Sequence, residues 1–409
     1  MKEIFSSSFF GHNRELLKAK LADDISEDML VVITANGLVQ RAGDSGYIFR
    51  QDSNFWYLTG LQLPDAVLVM SQKTEFIILP ERDPILDYFE GAIDTEELVS
   101  TAGIKQILLN YQGWEQLIQL AKKHKNIGTC MYKGYDQRHA IYMNPSKPRL
   151  VSRLKKLAPR ATFSDVRPTL ARMRMVKQLP EIEVIQQAID ITTESFMAIF
   201  TKNWYTKNKH EATVSAKLSY EFAKNGAQPA YPSIVAGGKR ACTLHYEKNN
   251  QQLQKDELLL IDAGAEYNLY ASDITRVYAP DKMTSKQELV YGAVKDIQQE
   301  VINQLKPGVD LKTLDKKVEK MIGQFLKSQK LITKLEPAQI RKYYPHTVSH
   351  HLGLDVHDVA DYTQKLQVGN VITVEPGIYI PEWNIGVRIE DDVLITKNSA
   401  KNLSIALPS

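Results

Sequence analysis

Stretches with the hydrophobic spacing of helices alternate along the chain with short apolar runs of strand length. An amphipathic segment at 13–22 is followed by apolar runs at 29–36, 66–71 and 75–80. The stretch 96–125 then alternates between helix and strand character. Such alternation predicts an α/β domain, in which a sheet is layered with helices.

A basic segment bracketed by prolines, Pro168–Pro180, predicts a boundary between two domains, 1–172 and 173–409. Proline in the first turn and acids close behind it are typical of a helix start. Helices are predicted in the second domain at 180–200, 210–226, 285–305 and 311–329. Predicted hairpins lie between and after them, which indicates two helix-plus-hairpin halves and a weak internal repeat.

The composition, with 43% hydrophobic and 24% charged residues among 409, is that of a globular protein of two or three domains. A net charge of +3 gives no reason to expect nucleic acid or a membrane surface as partner. The only two cysteines, Cys130 and Cys242, are expected to be reduced thiols. Together with the lack of a signal-like or membrane-spanning apolar stretch, they predict a cytoplasmic protein.

Two stretches of the second domain each predict two strands around a polar turn, and each carries two acids: Asp262 with Asp273, and Glu375 with Glu390. Folding the first stretch at Tyr267–Asn268 sets its two acids opposite each other. Folding the second at Glu382–Trp383 does the same. Like charges that face each other across a ladder destabilise it by roughly 0.2–1 kcal/mol. A bound cation, which keeps carboxylates ionised, is therefore predicted.

Histidines supply a further ligand type beside these acids. Four of the nine in the chain fall within twelve residues: His346, His350, His351 and His357. Four carboxylates and one imidazole form a hard, oxygen-rich ligand set that suits two Mn²⁺, Co²⁺ or Fe²⁺ ions, with Zn²⁺ as a further alternative. The sequence contains no CxxC or HExxH motif, so neither a structural zinc cluster nor a zincin site is indicated.

These motifs resemble a known family. The segments IDAGAEY, SDITR, SHHLGLDVHD, TVEPGIY and GVRIEDDVLIT resemble, in order, the five ligand segments of the M24 metallopeptidases. FRQDSNFWYLTG and CTLHYEKNN resemble the Xaa-Pro aminopeptidase (aminopeptidase P) branch of that family. The resemblance covers nearly the whole chain. It implies an α/β (α+β) protein, with a creatinase/prolidase-like N-terminal domain followed by a catalytic "pita-bread" domain of pseudo-twofold symmetry.

The resemblance also implies roles for the ligand residues. Asp262 would chelate one ion, Asp273 and Glu390 would bridge two ions, and His350 and Glu375 would hold the second. The implied cofactor is two divalent ions per chain, with Mn²⁺ favoured over Co²⁺, Fe²⁺ and Zn²⁺. His351 is expected to be a packing or surface residue, because relatives carry various residues there.

The implied chemistry is peptide hydrolysis, in which a hydroxide held between the two ions attacks the scissile carbonyl. Glu375 would move the proton, and His357 would stabilise the tetrahedral intermediate. His245 would reach the substrate from the opposite side of the cleft.

Further residues would bind the substrate by the same resemblance. His346, Tyr379 and Arg388 would line a pocket for a proline ring, and Asp44 would reach the site of another subunit in a homodimer or homotetramer. One position departs from the family pattern, because Thr347 stands where the family has glycine.

The implied function is removal of the N-terminal residue from peptides with proline at the second position. Two alternatives stay open. The first is a prolidase, which has the same ligands but cleaves Xaa-Pro dipeptides. The second is a pita-bread binding protein that has lost catalysis.

Overall fold

The structure, a computed structural model, describes residues 4–137 and 140–409. The chain divides into two compact units, Met1–Met173 and Arg174–Ser409. Among the described residues, no helix is both long enough and apolar enough to cross a membrane.

The N-terminal unit alternates strands and helices, as its apolar pattern predicts. Its strands are β1 (Met29–Thr34), β2 (Gln40–Ala42), β3 (Ser45–Gly46), β4 (Val67–Met70), β5 (Glu75–Ile78), β6 (Ile107–Leu108), β7 (Asn126–Thr129), β8 (Tyr135–Asp136), β9 (Ile141–Tyr142) and β10 (Thr162–Asp165). Its helices are α1 (Ser7–Asp24), α2 (Ser53–Thr59), α3 (Leu86–Glu90), α4 (Thr95–Ala102), α5 (Asn110–Lys123), α6 (Ser146–Leu157) and α7 (Arg167–Arg174), which runs to the division between the units.

Six of these strands form one mixed sheet in the order β10-β7-β1-β4-β5-β6. Strand β1 is buried along its whole length, since it lies inside the sheet with both faces covered. One hydrophobic core joins Leu30, Val32 and Phe76 of the strands to Trp114 and Leu117 of α5. The N-terminal unit is therefore a helix-covered sheet, as the sequence indicates.

The C-terminal unit is built from longer helices and short strands. Its helices are α8 (Leu179–Ile199), α9 (Trp204–Lys207), α10 (Glu211–Lys224), α11 (Ser285–Gln304), α12 (Leu311–Ser328) and α13 (Pro337–Ile340). Its strands are β11 (Gln228–Pro229), β12 (Ile234–Gly237), β13 (Leu259–Ala263), β14 (Ala265–Tyr267), β15 (Tyr270–Ala271), β16 (Ile274–Tyr278), β17 (Val371–Val374), β18 (Gly377–Ile380), β19 (Ile385–Arg388), β20 (Asp391–Ile395) and β21 (Ala400–Asn402).

Local sequence signals set the starts of the main helices. Helix α8 begins with a capping box between Gln178 and Glu181, and a proline lies in its first turn. Thr284 and Gln287 form a second capping box at the start of α11. All four helices predicted for this part of the chain are present, and their ends agree to within two residues.

The C-terminal unit contains two similar halves. In the first half, α10 packs against β12 of the sheet β12-β13-β16, and α8 packs against α10 and against β14 and β15. In the second half, α11 packs against β17 and β21 of the sheet β17-β20-β21, and α12 packs against α11. An isolated bridge joins the halves where Glu390 N donates to the carbonyl of Thr275 at 3.1 Å. The predicted repeat of helices and hairpins is thus present, and its two acid-bearing hairpins come together.

The first acid-bearing hairpin corrects one prediction. Its turn lies at Asn268–Leu269, one residue later than predicted, and both residues have positive φ, 47° and 68°. Strand β13 therefore pairs with β16 so that Asp262 lies opposite Thr275, and not opposite Asp273. A two-residue turn with positive φ at both positions matches the twist of the strands and fixes their register.

A break in this ladder accounts for the position of Asp273. A Cβ at Gly264 would collide with the carbonyl of Ser272, so only glycine lets the two backbones approach there. Asp273 lies just beyond this close approach, between β15 and β16.

The second acid-bearing hairpin has the predicted register. Val374 lies opposite Asp391 in one ladder, and Gly377 lies opposite Arg388 in the next. The same register, continued across the short gap between these ladders, sets Glu375 opposite Glu390, as predicted.

Candidate active site

The acids of the first hairpin share one phenol. The Tyr231 hydroxyl lies 2.6 Å from Asp262 Oδ1 and 2.5 Å from Asp273 Oδ1. A phenol has one proton to donate, so it can donate to only one of these carboxylates at a time. Burial, and then the nearby carboxylates, raise the pKa of Tyr231 well above its usual value. The pair therefore keeps more negative charge than Tyr231 can offset.

His350 faces two of the acids through one ring nitrogen. Its Nε2 lies 3.4 Å from Asp273 Oδ2 and 3.5 Å from Glu375 Oε1. Its Nδ1 lies 3.0 Å from the carbonyl of His351, to which it donates. Donation from Nδ1 directs Nε2 toward the acids, as in the usual arrangement of a metal-binding histidine. Burial lowers the pKa of His350, but Asp273 and Glu375 outweigh it and raise that pKa to about 9.

Glu390 completes the group at the bridge between the two halves. Thr275 donates to its Oε2 at 2.6 Å, and Arg388 Nε lies 3.7 Å from the same oxygen. Burial, and then repulsion from Asp273 and Glu375, raise the pKa of Glu390 well above its usual value. Burial also raises the pKa of Glu375 to about 7.

The donor set fits divalent cations. Ligand atoms of Asp273, His350 and Glu390 all lie within 4.8 Å of one another. Asp262 and Glu375 adjoin them through Tyr231 and His350 respectively. We call these five residues the acid site. Carboxylate oxygens with one imidazole suit Mn²⁺ and similar ions, and bound cations would offset the mutual repulsion of the acids.

Three of the predicted substrate residues form one hydrogen-bonded chain. Arg388 Nη1 donates to the Tyr379 hydroxyl at 3.0 Å, and this hydroxyl lies 2.9 Å from His346 Nε2. His346 Nδ1 lies 2.8 Å from the carbonyl of Thr347. Burial, and then the charge of Arg388, lower the pKa of His346 to about 3. His346 is therefore neutral, with Nδ1 as donor and Nε2 accepting from Tyr379.

Thr347 does not need the freedom of the glycine that it replaces. Thr347 is not among the described non-glycine residues that have positive φ. Its backbone conformation is therefore open to any residue, and the departure from the family pattern costs no backbone strain at this position.

Arg388 connects this chain to the acids. It forms an ion pair with Asp262 through Nη2, and its Nε donates to Thr275 at 3.0 Å. Burial lowers the pKa of Arg388, but Tyr379 and Asp262 outweigh it, and the pKa lies well above its usual value. Within the described part of the chain, Arg388 is the one permanent cation that pairs with a carboxylate of the acid site.

The remaining predicted residues lie at different distances from the acid site. The His357 ring packs edge-on against the His350 ring, with centroids 4.2 Å apart. His245 is exposed, after the 3₁₀ turn Gly238–Cys242, and makes no hydrogen bond or ring contact with the acid site among the residues described. Asp44 is exposed in the turn between β2 and β3 of the N-terminal unit. His351 is buried and packs against Tyr362, with ring centroids 5.5 Å apart.

Sequence reasoning missed three residues that contact the acids. Tyr231 and Thr275 donate to them, and Asp392 accepts from the backbone N of Asp273 at 3.0 Å. Burial, and then the charge of Asp273, raise the pKa of Asp392 well above its usual value. The acid pair Asp391–Asp392 directly after Glu390 was a visible signal. Nothing in the sequence around Tyr231 indicates its position.

A buried arginine supports Glu390 from the other side. Arg276 donates to the carbonyl of Glu390 at 2.6 Å and to Asp391 at 2.6 Å. The same guanidinium donates to the carbonyls of Leu407 at 2.7 Å and Pro408 at 3.2 Å. The C-terminal segment is thus tied to the backbone of Glu390, between β19 and β20.

Comparison with known proteins agrees with this geometry. The family model for metallopeptidase family M24 matches residues 183–397, and the model for the aminopeptidase P N-terminal domain matches residues 10–128. The chain is 33% identical to human Xaa-Pro aminopeptidase 3, with 96% of this chain and 81% of the relative covered. It is 36% identical to Xaa-Pro aminopeptidase of Haemophilus influenzae, with 90% and 88% covered.

A solved structure gives the same result. Aminopeptidase P from E. coli with the inhibitor Pro-Leu matches with a TM-score of 0.84 at 28% identity, over 99% of this chain and 96% of that one. The chain therefore belongs to the M24 metallopeptidase family, in its aminopeptidase P branch. It is a metal-dependent peptidase with the pita-bread fold, as the motifs imply.

Proposed function

We propose that this enzyme releases the N-terminal residue from peptides with proline at the second position, using two divalent ions held by the acid site. The observation that carries the proposal is the convergence of Asp273, His350 and Glu390 on one point, with two further acids beside it. Mn²⁺ is the favoured metal, because hard oxygen donors outnumber the single imidazole. When bound, such ions polarise a carbonyl oxygen and make water more acidic.

Glu375 is the proposed proton carrier. In the site without metal, burial raises the pKa of Glu375 to about 7. A carboxylate placed beside the attacking water can accept a proton and return it. It would take a proton from the attacking water and pass it to the leaving nitrogen. Its Oε2 lies 3.6 Å from His346 Nδ1, so the carrier adjoins the proposed proline pocket.

His357 is the proposed donor to the scissile carbonyl. Its ring lies against that of His350, which would place it beside the reacting carbon. A donor aimed at the developing negative charge stabilises the transition state. His245 is proposed to reach the substrate from the other side of the cleft.

The chain of His346, Tyr379 and Arg388 is the proposed wall for the proline ring. These side chains hold one another in fixed positions, and His346 is neutral, so they present a rigid surface of little charge apart from Arg388. We also propose that the protein is a homodimer or homotetramer in which Asp44 of one subunit reaches the site of another.

The relatives favour aminopeptidase over prolidase activity. Both relatives described above are Xaa-Pro aminopeptidases, and the E. coli enzyme binds Pro-Leu as an inhibitor. Pro-Leu is the fragment that remains when the first residue of an Xaa-Pro-Leu peptide is removed. A prolidase would have to bind the proline carboxylate, and Arg388, the cation at the site, already pairs with Asp262.

A substrate series tests the proposal. With Mn²⁺ present, Xaa-Pro-Yaa peptides should be cleaved well and Xaa-Pro dipeptides poorly. N-acetylated peptides should not be cleaved, because a blocked amine cannot bind the ion that Asp262 is proposed to hold. Alanine in place of proline should lower kcat/KM by roughly 10–200-fold, the range for lost apolar contacts in a pocket. A chelator should remove the activity and Mn²⁺ should restore it.

The series also separates the alternatives. Efficient cleavage of dipeptides with little cleavage of tripeptides would identify a prolidase. Failure to cleave any of these peptides after loading with each of the four metals would identify a binding protein. Light scattering of the purified protein gives the oligomeric state.

A further inference from the structure

A second group of charged residues, three of them buried, lies next to the predicted catalytic histidines. Arg174 Nη2 pairs with Asp358 Oδ1, and lies 2.7 Å from Asp355 Oδ2. Lys177 Nζ donates to the other oxygen of Asp358 at 3.0 Å. The side chains of Arg174, Lys177 and Asp358 are only 1–2% exposed. We call these four residues the ion cluster.

Stability alone is a weak reason for such a cluster. Charges lose their hydration on burial, and well-packed apolar residues of similar size often stabilise a protein as much as a buried ion pair does. Ion pairs do, however, hold side chains in one geometry, because each charged group must keep its partners.

The cluster is connected to His350 by two hydrogen bonds. The backbone N of Asp358 donates to the carbonyl of His351 at 2.8 Å. The same carbonyl accepts from His350 Nδ1 at 3.0 Å. The position of Asp358 therefore helps to set the direction in which His350 Nε2 points.

The same residue also restrains His357. His357 directly precedes Asp358, and its ring packs against that of His350. Both histidines thus depend on the placement of one aspartate, whose two carboxylate oxygens are held by two cations.

A glycine allows the segment to close around the cluster. A Cβ at Gly353 would lie 2.9 Å from Asp358 Cγ and 3.0 Å from Lys177 Cε, closer than side chains tolerate. The carbonyl of Gly353 accepts from the backbone N of Ala271 at 2.9 Å, two residues before Asp273. The segment is therefore fixed both to the cluster and to the hairpin that carries Asp273.

We propose that Arg174 and Lys177 are positioning residues for catalysis, which act by fixing Asp358 and, through it, His350 and His357. The inference rests on the proposed function, because it takes His350 as a metal ligand and His357 as a donor to the substrate. The groups that orient a metal ligand typically contribute 10–100-fold to metal affinity or activity.

Lys177→Met is the main test, because Arg174 still pairs with Asp358 in this variant. Its affinity for Mn²⁺, measured by calorimetric titration, should fall by roughly 10–100-fold. At saturating Mn²⁺, kcat for an Xaa-Pro-Yaa peptide should also fall, because His357 is misplaced, while KM changes less. Lys177→Arg, which keeps the charge, should recover most of the loss in both quantities.

Arg172→Met is the matched control. Arg172 belongs to the same basic segment and pairs with Asp24, but its side chain is 31% exposed. This variant should keep wild-type metal affinity and kcat. If Lys177→Met does not fold, Arg174→Lys replaces it, since it keeps the charge but loses the guanidinium whose Nη2 reaches both acids. The affinity of this variant for Mn²⁺ and its kcat should both fall by about tenfold.

The outcomes separate the inference from the function on which it rests. If the wild-type protein neither binds Mn²⁺ nor cleaves the peptides, the proposed function is wrong. If the wild-type protein is active and the folded variant keeps its metal affinity and kcat, with only a lower melting temperature, the cluster is purely structural and the inference is overturned.

Discussion

The C-terminal unit contains two buried groups of charge with opposite balance. In the ion cluster, two cations meet two acids, and each cation has an acid in direct contact. In the acid site, four carboxylates share one permanent cation, Arg388, and one imidazole, His350. In the first group the cations equal the acids in number, whereas in the second the acids outnumber the cations.

The pKa directions follow from this difference. Burial lowers the pKa of Arg174, but Asp358 and Asp355 outweigh it, so Arg174 is held firmly as a cation. In the acid site, burial and mutual repulsion raise the pKa of Glu390 well above its usual value. Buried charge that the protein neutralises by itself serves to hold the structure. Buried charge that it leaves unmatched favours a ligand of opposite sign.

The largest effect on activity is expected from removing a carboxylate of the acid site. Glu390→Ala should lower kcat/KM by about 10³-fold or more, because polarisation of the carbonyl is worth several kcal/mol. Bound metal, measured by elemental analysis, should fall as well, while the melting temperature stays close to that of the wild type without metal. Asp262→Ala and His350→Ala should behave alike.

Glu382→Gln is the control for this series, because Glu382 is an exposed acid in the turn of the second hairpin. It should keep full activity and full metal content. Full activity in Glu390→Ala would show that the unmatched charge does not bind a catalytic metal.

A smaller effect is expected from His357, which lies beside the acid site but is not proposed to bind metal. His357→Ala should lower kcat by about 10²–10³-fold, the usual loss for a donor to a developing oxyanion. Its metal content should equal that of the wild type when both are loaded with Mn²⁺. Loss of metal in this variant would show that His357 is a metal ligand and belongs to the acid site.

The smallest effect concerns Glu181, a buried acid under the influence of Lys177 and Asp358. Burial raises its pKa from 4.5 to about 7. The folded state therefore holds the proton more tightly than the unfolded state. The resulting stabilisation is full below pH 4.5 and is lost as the pH rises through 7. Glu181→Gln imitates the protonated acid and should lack this dependence.

Thermal unfolding of metal-free protein at pH 5 and pH 8 checks this prediction. From pH 5 to pH 8, the free energy of unfolding of the wild type should fall by about 3 kcal/mol or less relative to that of Glu181→Gln. Glu183→Gln, at an exposed position of the same helix turn, should follow the wild type. Parallel curves for the wild type and Glu181→Gln would mean that Glu181 is ionised in the folded state.

Much of the fold could be predicted because its signals are local. Helix α8 has hydrophobic spacing, a proline in its first turn and Glu181 at its start, and its predicted range agrees to one residue. The strand order of the N-terminal sheet could not be predicted, because β1 pairs with β7 across nearly a hundred residues. Such pairings depend on packing of the whole unit, which no local pattern encodes.

The acid pairs show the same limit at the site. The register of the second hairpin could be predicted because its turn is marked by polar residues and Pro381. The predicted register of the first hairpin was wrong: Asp262 lies opposite Thr275, two residues beyond Asp273. The turn was misplaced because it sets Leu269 at positive φ, which a bulky side chain rarely adopts. Tyr231 was missed because it reaches the acids from a segment without a motif, and only the folded chain brings it there.

The anchoring of the C-terminal segment by Arg276 bears on how this enzyme can be handled. An affinity handle or a surface linkage joined directly after Ser409 would pull on Leu407 and Pro408, whose carbonyls share one guanidinium with the carbonyl of Glu390. Strain applied there would reach the backbone of Glu390, a proposed metal ligand. A flexible spacer after Ser409 would isolate the handle, and immobilised preparations with and without a spacer should differ in how well they retain metal.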